Sequence, residues 1–142
     1  MADSNNSPIL SKEQIDYVVD LYSHSKYEEA VVQIKILNEK YPNVPLLFNL
    51  VGACYKALGQ LESSEKMFQK AVSIKPDYAE AHKNLGIVQK FLGQFEASIQ
   101  SFKKAIFLIL ANVLGLVFTL KTSTFSFSTK LFKFSMPSSV CK

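Results

Sequence analysis

Apolar and small residues fall at helical spacing along most of the chain. Between residues 45 and 78, Phe48, Val51, Gly52 and Tyr55 mark one helix face, and Leu61, Ser64, Phe68, Ala71 and Val72 mark a second. Gly59 separates the two runs, at a point where a left-handed turn residue is needed. Pro76 stops the second run, because proline cannot donate the next backbone hydrogen bond. The same pattern returns at a step of 34, with Gly52 answered by Gly86, Gly59 by Gly93, Phe68 by Phe102 and Ala71 by Ala105. It is also present one step earlier, where Pro42, Ala30 and Tyr27 correspond to Pro76, Ser64 and Leu61. A fixed period of this size predicts stacked supersecondary units rather than one closed globule.

The predicted fold class is therefore all-α: a solenoid of about three helix-turn-helix repeats with an atypical apolar C-terminal extension. Residues 1–10 read as a polar leader expected to fray. Residues 11–44 form a degenerate first unit, 45–78 a second and 79–106 a third that is incomplete at its end. Residues 107–142 form a tail outside the repeat. Ser11, with Gln14 three residues on, predicts a capping box at the first helix. Ser25-Lys26 and Tyr41-Pro42-Asn43 are the expected turns of the first unit, which acts as an N-terminal cap with Asp16, Asp20, Glu28 and Glu29 turned to solvent.

The second unit reads Phe48-x2-Val51-Gly52-x2-Tyr55, then Ser64-x3-Phe68, Ala71 and Pro76, and the third reads His82-x2-Leu85-Gly86-x2-Gln89, then Ser98-x3-Phe102 and Ala105. This pattern resembles the tetratricopeptide repeat, whose motif runs W-x2-L-G-x2-Y, A-x3-F and P. The resemblance covers roughly residues 11–106. It implies helix pairs that pack through Phe48, Gly52, Tyr55, Phe68 and Ala71 and through Leu85, Gly86, Phe102 and Ala105. It also implies a right-handed curved stack whose concave groove is lined by the first helix of each unit. The segment KPDYAEAHKNLG resembles repeat arrays fused to glycosyltransferases and sulfotransferases.

On that reading the groove candidates are Asn49, Ala53 and Lys56 in the second unit and Lys83, Asn84, Ile87 and Lys90 in the third. Asparagine amides can pair with an extended backbone, lysines attract carboxylates and apolar residues grip side chains. The family's carboxylate clamp needs a Lys/Asn pair one helical turn apart in the leading repeat. Ile15 and Val19, or Asn49 and Ala53, stand there instead, so a standard clamp is not expected.

Composition narrows the picture. The chain has 142 residues, 48% hydrophobic and 20% charged, with net charge +4. All 12 acidic residues lie at or before Glu96, and only lysines are charged beyond it. Acids interleave with the lysines near Tyr78 and Phe91, so no nucleic acid is expected as a partner. Two cysteines, Cys54 and Cys141, make no disulfide framework, and neither a zinc spacing nor a P-loop, GxGxxG, GxSxG or HExxH motif occurs. His24 and His82 have no spaced catalytic partner, and His82 is expected to pack between repeats. No cofactor, metal or catalytic residue is expected. The polar start MADSNNSP has no signal-peptide core, which makes a reducing, cytoplasmic setting the default.

The tail changes character at residue 106, and Leu110 stands where the third exit proline belongs. The preferred reading is aberrant sequence: a frameshift, retained intron or alternative terminal exon. An apolar capping helix and a C-terminal membrane anchor stand behind it. Lys104 and Lys121 enclose 16 residues, a helix of about 24 Å, short of a bilayer core of about 30 Å. Asn112-Val113-Leu114-Gly115 resembles Lys83-Asn84-Leu85-Gly86, but at a step of 29. A helix to about residue 120 is expected, with 122–142 poorly ordered.

The expected function is protein-protein interaction through a groove that binds a peptide or partner helix, without catalysis. The rival is the N-terminal repeat portion of a larger transferase, shorn of its catalytic domain. A transcript read across Ala105 separates the two. Membrane contact through 106–120 is not the favoured partner reading, and the tail offers a route to self-association.

Overall fold

The computed structural model describes the backbone of residues 9–132 and the side chains of residues 9–116. The leader therefore lies outside the described residues except for Ile9 and Leu10, as does the tail beyond residue 132. Six helices occur among the described residues: α1 Lys12–Ser23, α2 Tyr27–Lys40, α3 Pro45–Ala57, α4 Leu61–Ile74, α5 Ala79–Phe91 and α6 Phe95–Phe132. Two compact units divide the chain, Met1–Ile106 and Phe107–Lys142.

In the first unit the helices come in pairs, and the turns within the pairs are copies of one another. Ser25, Gly59 and Gly93, each one period from the next, all adopt left-handed backbone with φ of 59°, 73° and 75°. After each, an amide reaches back five residues: Lys26 to the Leu21 carbonyl, Gln60 to that of Tyr55 and Gln94 to that of Gln89, at 2.8–2.9 Å. These bonds satisfy carbonyls that a helix end leaves open. At the other end of the unit, the Ser11 side chain accepts from the Gln14 amide while Gln14 accepts from the Ser11 amide, closing the capping box of α1. Pro45 opens α3, where its missing N–H has no partner to lose.

Packing inside the pairs turns on two glycines. A Cβ on Gly52 would lie 2.8 Å from the Phe68 ring, and one on Gly86 would lie 3.1 Å from the Phe102 ring. The bare glycine backbone lets α4 and α6 press a ring against α3 and α5. Beside each ring a serine completes the contact: Ser64 Oγ donates to the Gly52 carbonyl at 2.7 Å, and Ser98 Oγ donates to the Gly86 carbonyl at 2.8 Å. A hydroxyl so placed finds its partner without leaving the core, as buried polar groups require. Phe68, Ala71 and Ala105 are buried, whereas Phe102, Phe48 and Tyr55 are half-buried.

The core of the first three helices joins Val18 and Leu21 to Ala30, Ile34 and Leu37 and to Leu47, Val51 and Cys54. Phe68, Leu85 and Val88 form a second cluster one step along. Leu10 packs against the first cluster, so the end of the leader is tied down by burial. On the outer side of the first unit's opening pair, Asp16, Asp20, Glu28 and Glu29 are exposed, but so are Tyr17, Val19, Val32 and Ile36. The four acids face solvent as expected, and exposed apolar side chains stand among them.

The second unit begins within α6. The helix does not end near residue 120 but continues to Phe132. The physical reason is that no proline interrupts the chain between Pro76 and Pro137, and a single glycine weakens a helix by about 1 kcal/mol without breaking it.

Candidate functional site

The first helices of the three pairs line one pocket. It holds about 200 Å³ and is bounded by Tyr22 of α1, by Asn49, Leu50, Ala53 and Lys56 of α3, and by Glu80 and Asn84 of α5. Asn49, Ala53 and Lys56 on α3, like Glu80 and Asn84 on α5, are three or four apart, the spacing of one helix face. Asn84 Nδ2 donates to Asn49 Oδ1 at 3.1 Å, and both side chains are buried. That bond uses one of the two N–H donors of Asn84 and leaves its carbonyl oxygen for another partner. Lys56 is half-buried and Glu80 exposed, so the pocket carries one charge of each sign.

Two phenols border this polar centre. Burial pushes the hydroxyl of Tyr22 above its ordinary pKa. Burial raises that of Tyr78 too, the Glu80 carboxylate adds to the rise, and a hydrogen bond with Asn49 opposes it. Both phenols are therefore neutral near pH 7 and present O–H groups rather than charges. Among the described residues no group of three His, Cys, Asp or Glu could hold a metal ion. Cys54 is buried and its thiol is pushed up to about 11 by desolvation, which suppresses the reactive thiolate.

Of the seven groove residues named from sequence, the pocket gathers Asn49, Ala53, Lys56 and Asn84. Lys83 and Lys90 are exposed and Ile87 half-buried, and none of the three lines it. The repeat period explains the division: Lys83, Ile87 and Lys90 are the counterparts of Asn49, Ala53 and Lys56. They occupy the side of α5 on which a following first helix would complete a second pocket. Asn84 is also less open than a bare groove residue, because α3 already engages half of its amide.

Tyr22 lines the pocket from the degenerate first repeat, in which motif reading named no groove candidate. It stands one period before Lys56, so the repeat marks its position even though the first unit hides the motif. The Asn49–Tyr78 relation has no such signal, because Tyr78 lies in the turn between units. His82 is half-buried, with Nε2 2.9 Å from the Pro76 carbonyl, which fixes the turn into α5.

Paired helices at a constant step, with a glycine under an aromatic ring in successive pairs, now meet an independent match. Residues 44–106 match the tetratricopeptide repeat family. The fold is a tetratricopeptide-repeat solenoid. No curated protein matches the chain in sequence. Among solved structures, MamA from Desulfovibrio magneticus RS-1 aligns at 21% identity over 69% of this chain and 55% of its own, with a TM-score of 0.65. A MamA RS-1 double mutant aligns at 21% identity over 70% and 56%, with a TM-score of 0.66. The second tetratricopeptide domain of Spaghetti (RPAP3), bound to the HSP90 peptide SRMEEVD, aligns at 22% identity over 68% and 89%, with a TM-score of 0.65. The chain spans little more than half the length of the MamA structures it matches. At these identities the likeness is one of fold.

Proposed function

We propose that this chain is a protein-interaction module that holds an extended peptide segment across the first helices of its repeats. The observation that carries the reading is the buried Asn84–Asn49 bond at the pocket. It fixes the Asn84 amide in place while leaving a carbonyl oxygen and one N–H to pair with a peptide unit. Preorganised donors and acceptors of this kind lower the ordering cost of binding. Lys56 and Glu80 at the same pocket favour a segment that carries both signs of charge, and Leu50 and Ala53 supply apolar grip. A tetratricopeptide domain of the same fold, that of Spaghetti, binds the HSP90 peptide SRMEEVD, which supports a peptide as the kind of partner. A standard carboxylate clamp is not part of the proposal, because Asn49 and Ala53 stand where its Lys/Asn pair belongs. The rival reading, a truncated transferase array, draws no support from these likenesses.

The test is a display library of linear peptides panned against the full chain, followed by calorimetry on the selected peptides. Lys56→Ala and Glu80→Ala are expected to weaken binding by about 0.5–2 kcal/mol each, with the Lys56 effect shrinking as salt rises. Lys90→Ala, outside the pocket, is expected to leave affinity within about 0.5 kcal/mol. Selected peptides indifferent to Lys56 and Glu80 but sensitive to Lys90 would place the site elsewhere and refute this reading.

A further inference from the structure

The extension that continues α6 is a single apolar helix with no charge along its central stretch. Ile106, Ile109, Leu110, Val113 and Leu114 are each at least 50% exposed. At 100° per residue they spread over more than a third of the helix circumference. The opposite side carries Leu108, Ala111, Asn112 and Gly115, none of them charged. A helix that turns a stripe to a protein core buries that stripe, yet only 11% of the most apolar 18-residue window within Phe95–Leu116 is buried. A Cβ on Gly115 would meet nothing within 4 Å, so packing among the described residues does not account for that glycine.

Charge selects the occupant. Beyond Glu96 the sequence has six lysines and no acid, whereas up to that point 12 acids outnumber ten lysines. Lys103 and Lys104 stand before the uncharged stretch and Lys121 stands after it. A second copy of this segment aligned in parallel would bring lysine against lysine. An anionic lipid surface would meet them with the opposite sign. Helical backbone from Phe107 to Phe132 covers 26 residues, about 39 Å, so the helix does not stop where the 16 uncharged residues end. Lysine stems at the two ends of a short span can reach outward to the headgroups, and the bilayer can thin to meet them.

We propose that the helix of residues 105–120 inserts into the hydrocarbon of an anionic lipid bilayer, anchoring the repeats at its surface. An apolar coat without a charged face suits insertion rather than lying at the interface, where a strongly polar face is required. This anchor is independent of the pocket and stands whether or not a peptide binds there.

The test uses the full chain synthesised in the presence of vesicles of phosphatidylcholine and phosphatidylserine, followed by flotation and an alkaline carbonate wash. The expected result is a chain that floats, survives the wash and floats less well on phosphatidylcholine alone. The double variant Ile109→Lys, Val113→Lys alters two exposed positions and is expected to lower the wash-resistant fraction at least about tenfold. Its helical circular dichroism should match the parent, which separates lost insertion from lost folding. A chain that stays at the bottom as a monomer or defined oligomer would overturn the proposal, the oligomer assigning the helix to a second copy. Release by carbonate, or equal flotation of the double variant, would also overturn it.

Discussion

Two glycines that match in sequence do not carry the same load. Gly52 faces the fully buried ring of Phe68, while Gly86 faces the half-buried ring of Phe102. A methyl group at either position gains up to about 1 kcal/mol of helix propensity. At Gly52 it also lands inside a ring that has nowhere to go, and overpacking of that kind costs about 1–3 kcal/mol. Gly52→Ala is therefore expected to lower stability by about 1–2 kcal/mol in urea denaturation. Gly86→Ala is expected to change it by less than about 0.5 kcal/mol, because Phe102 can tilt outward. Equal losses at both sites would show that ring freedom does not decide the outcome. The motif alone treats the two glycines as equivalent, and burial is what separates them.

Between elements, the polar link from α3 to α5 combines a structural and a binding role. Deleting one member leaves the other buried without its partner, which costs more than the bond itself contributes. Asn84→Ala is expected to lower stability by about 1–3 kcal/mol, because Asn49 Oδ1 is stranded. Asn49→Leu combined with Asn84→Leu is expected to recover most of that loss while abolishing capture of selected peptides. Thermal melting and calorimetry on the same samples check both halves. A double variant that still binds would remove the amide from the proposed recognition. Neither the period nor the hydrophobic pattern indicates that these two asparagines meet. They stand 35 residues apart, and only the stacking of consecutive first helices brings their amides within bonding distance.

At the scale of the whole molecule, groups buried in their neutral form tie stability to pH. Tyr22 and Tyr78 are raised by burial, and Cys54 is pushed up to about 11. A group whose folded pKa lies above its unfolded one contributes stability that is complete below the unfolded value, about 8.5 for a thiol and 10 for a phenol. That contribution is lost as pH rises through the folded value. The melting temperature is thus expected to be flat with respect to these groups from about pH 6 to 8 and to fall above about pH 9. Cys54→Ala should melt lower than the parent at pH 7, since it leaves a small cavity, but fall less steeply between about pH 9 and 11. Parallel curves across that range would show that the thiol does not titrate with unfolding.

Sequence by itself determined the helix pairs, their turns and the glycine-aromatic contacts, because each depends on residues within a single repeat period. Gly59 and Gly93 announce left-handed turns wherever the chain places them, and Ser25 marks the same point in a unit whose motif is otherwise worn away. Tertiary structure alone decided which groove candidates share a pocket. Asn49, Ala53 and Lys56 have a following first helix to face, whereas Lys83, Ile87 and Lys90, their counterparts one period on, have no such helix among the described residues. The length of α6 belongs to neither account: it runs past Gly115, where no burial holds it, and through residues 121–124, where no proline stops it. Local propensities there are weak in both directions, so sequence pattern leaves the end of that helix undetermined.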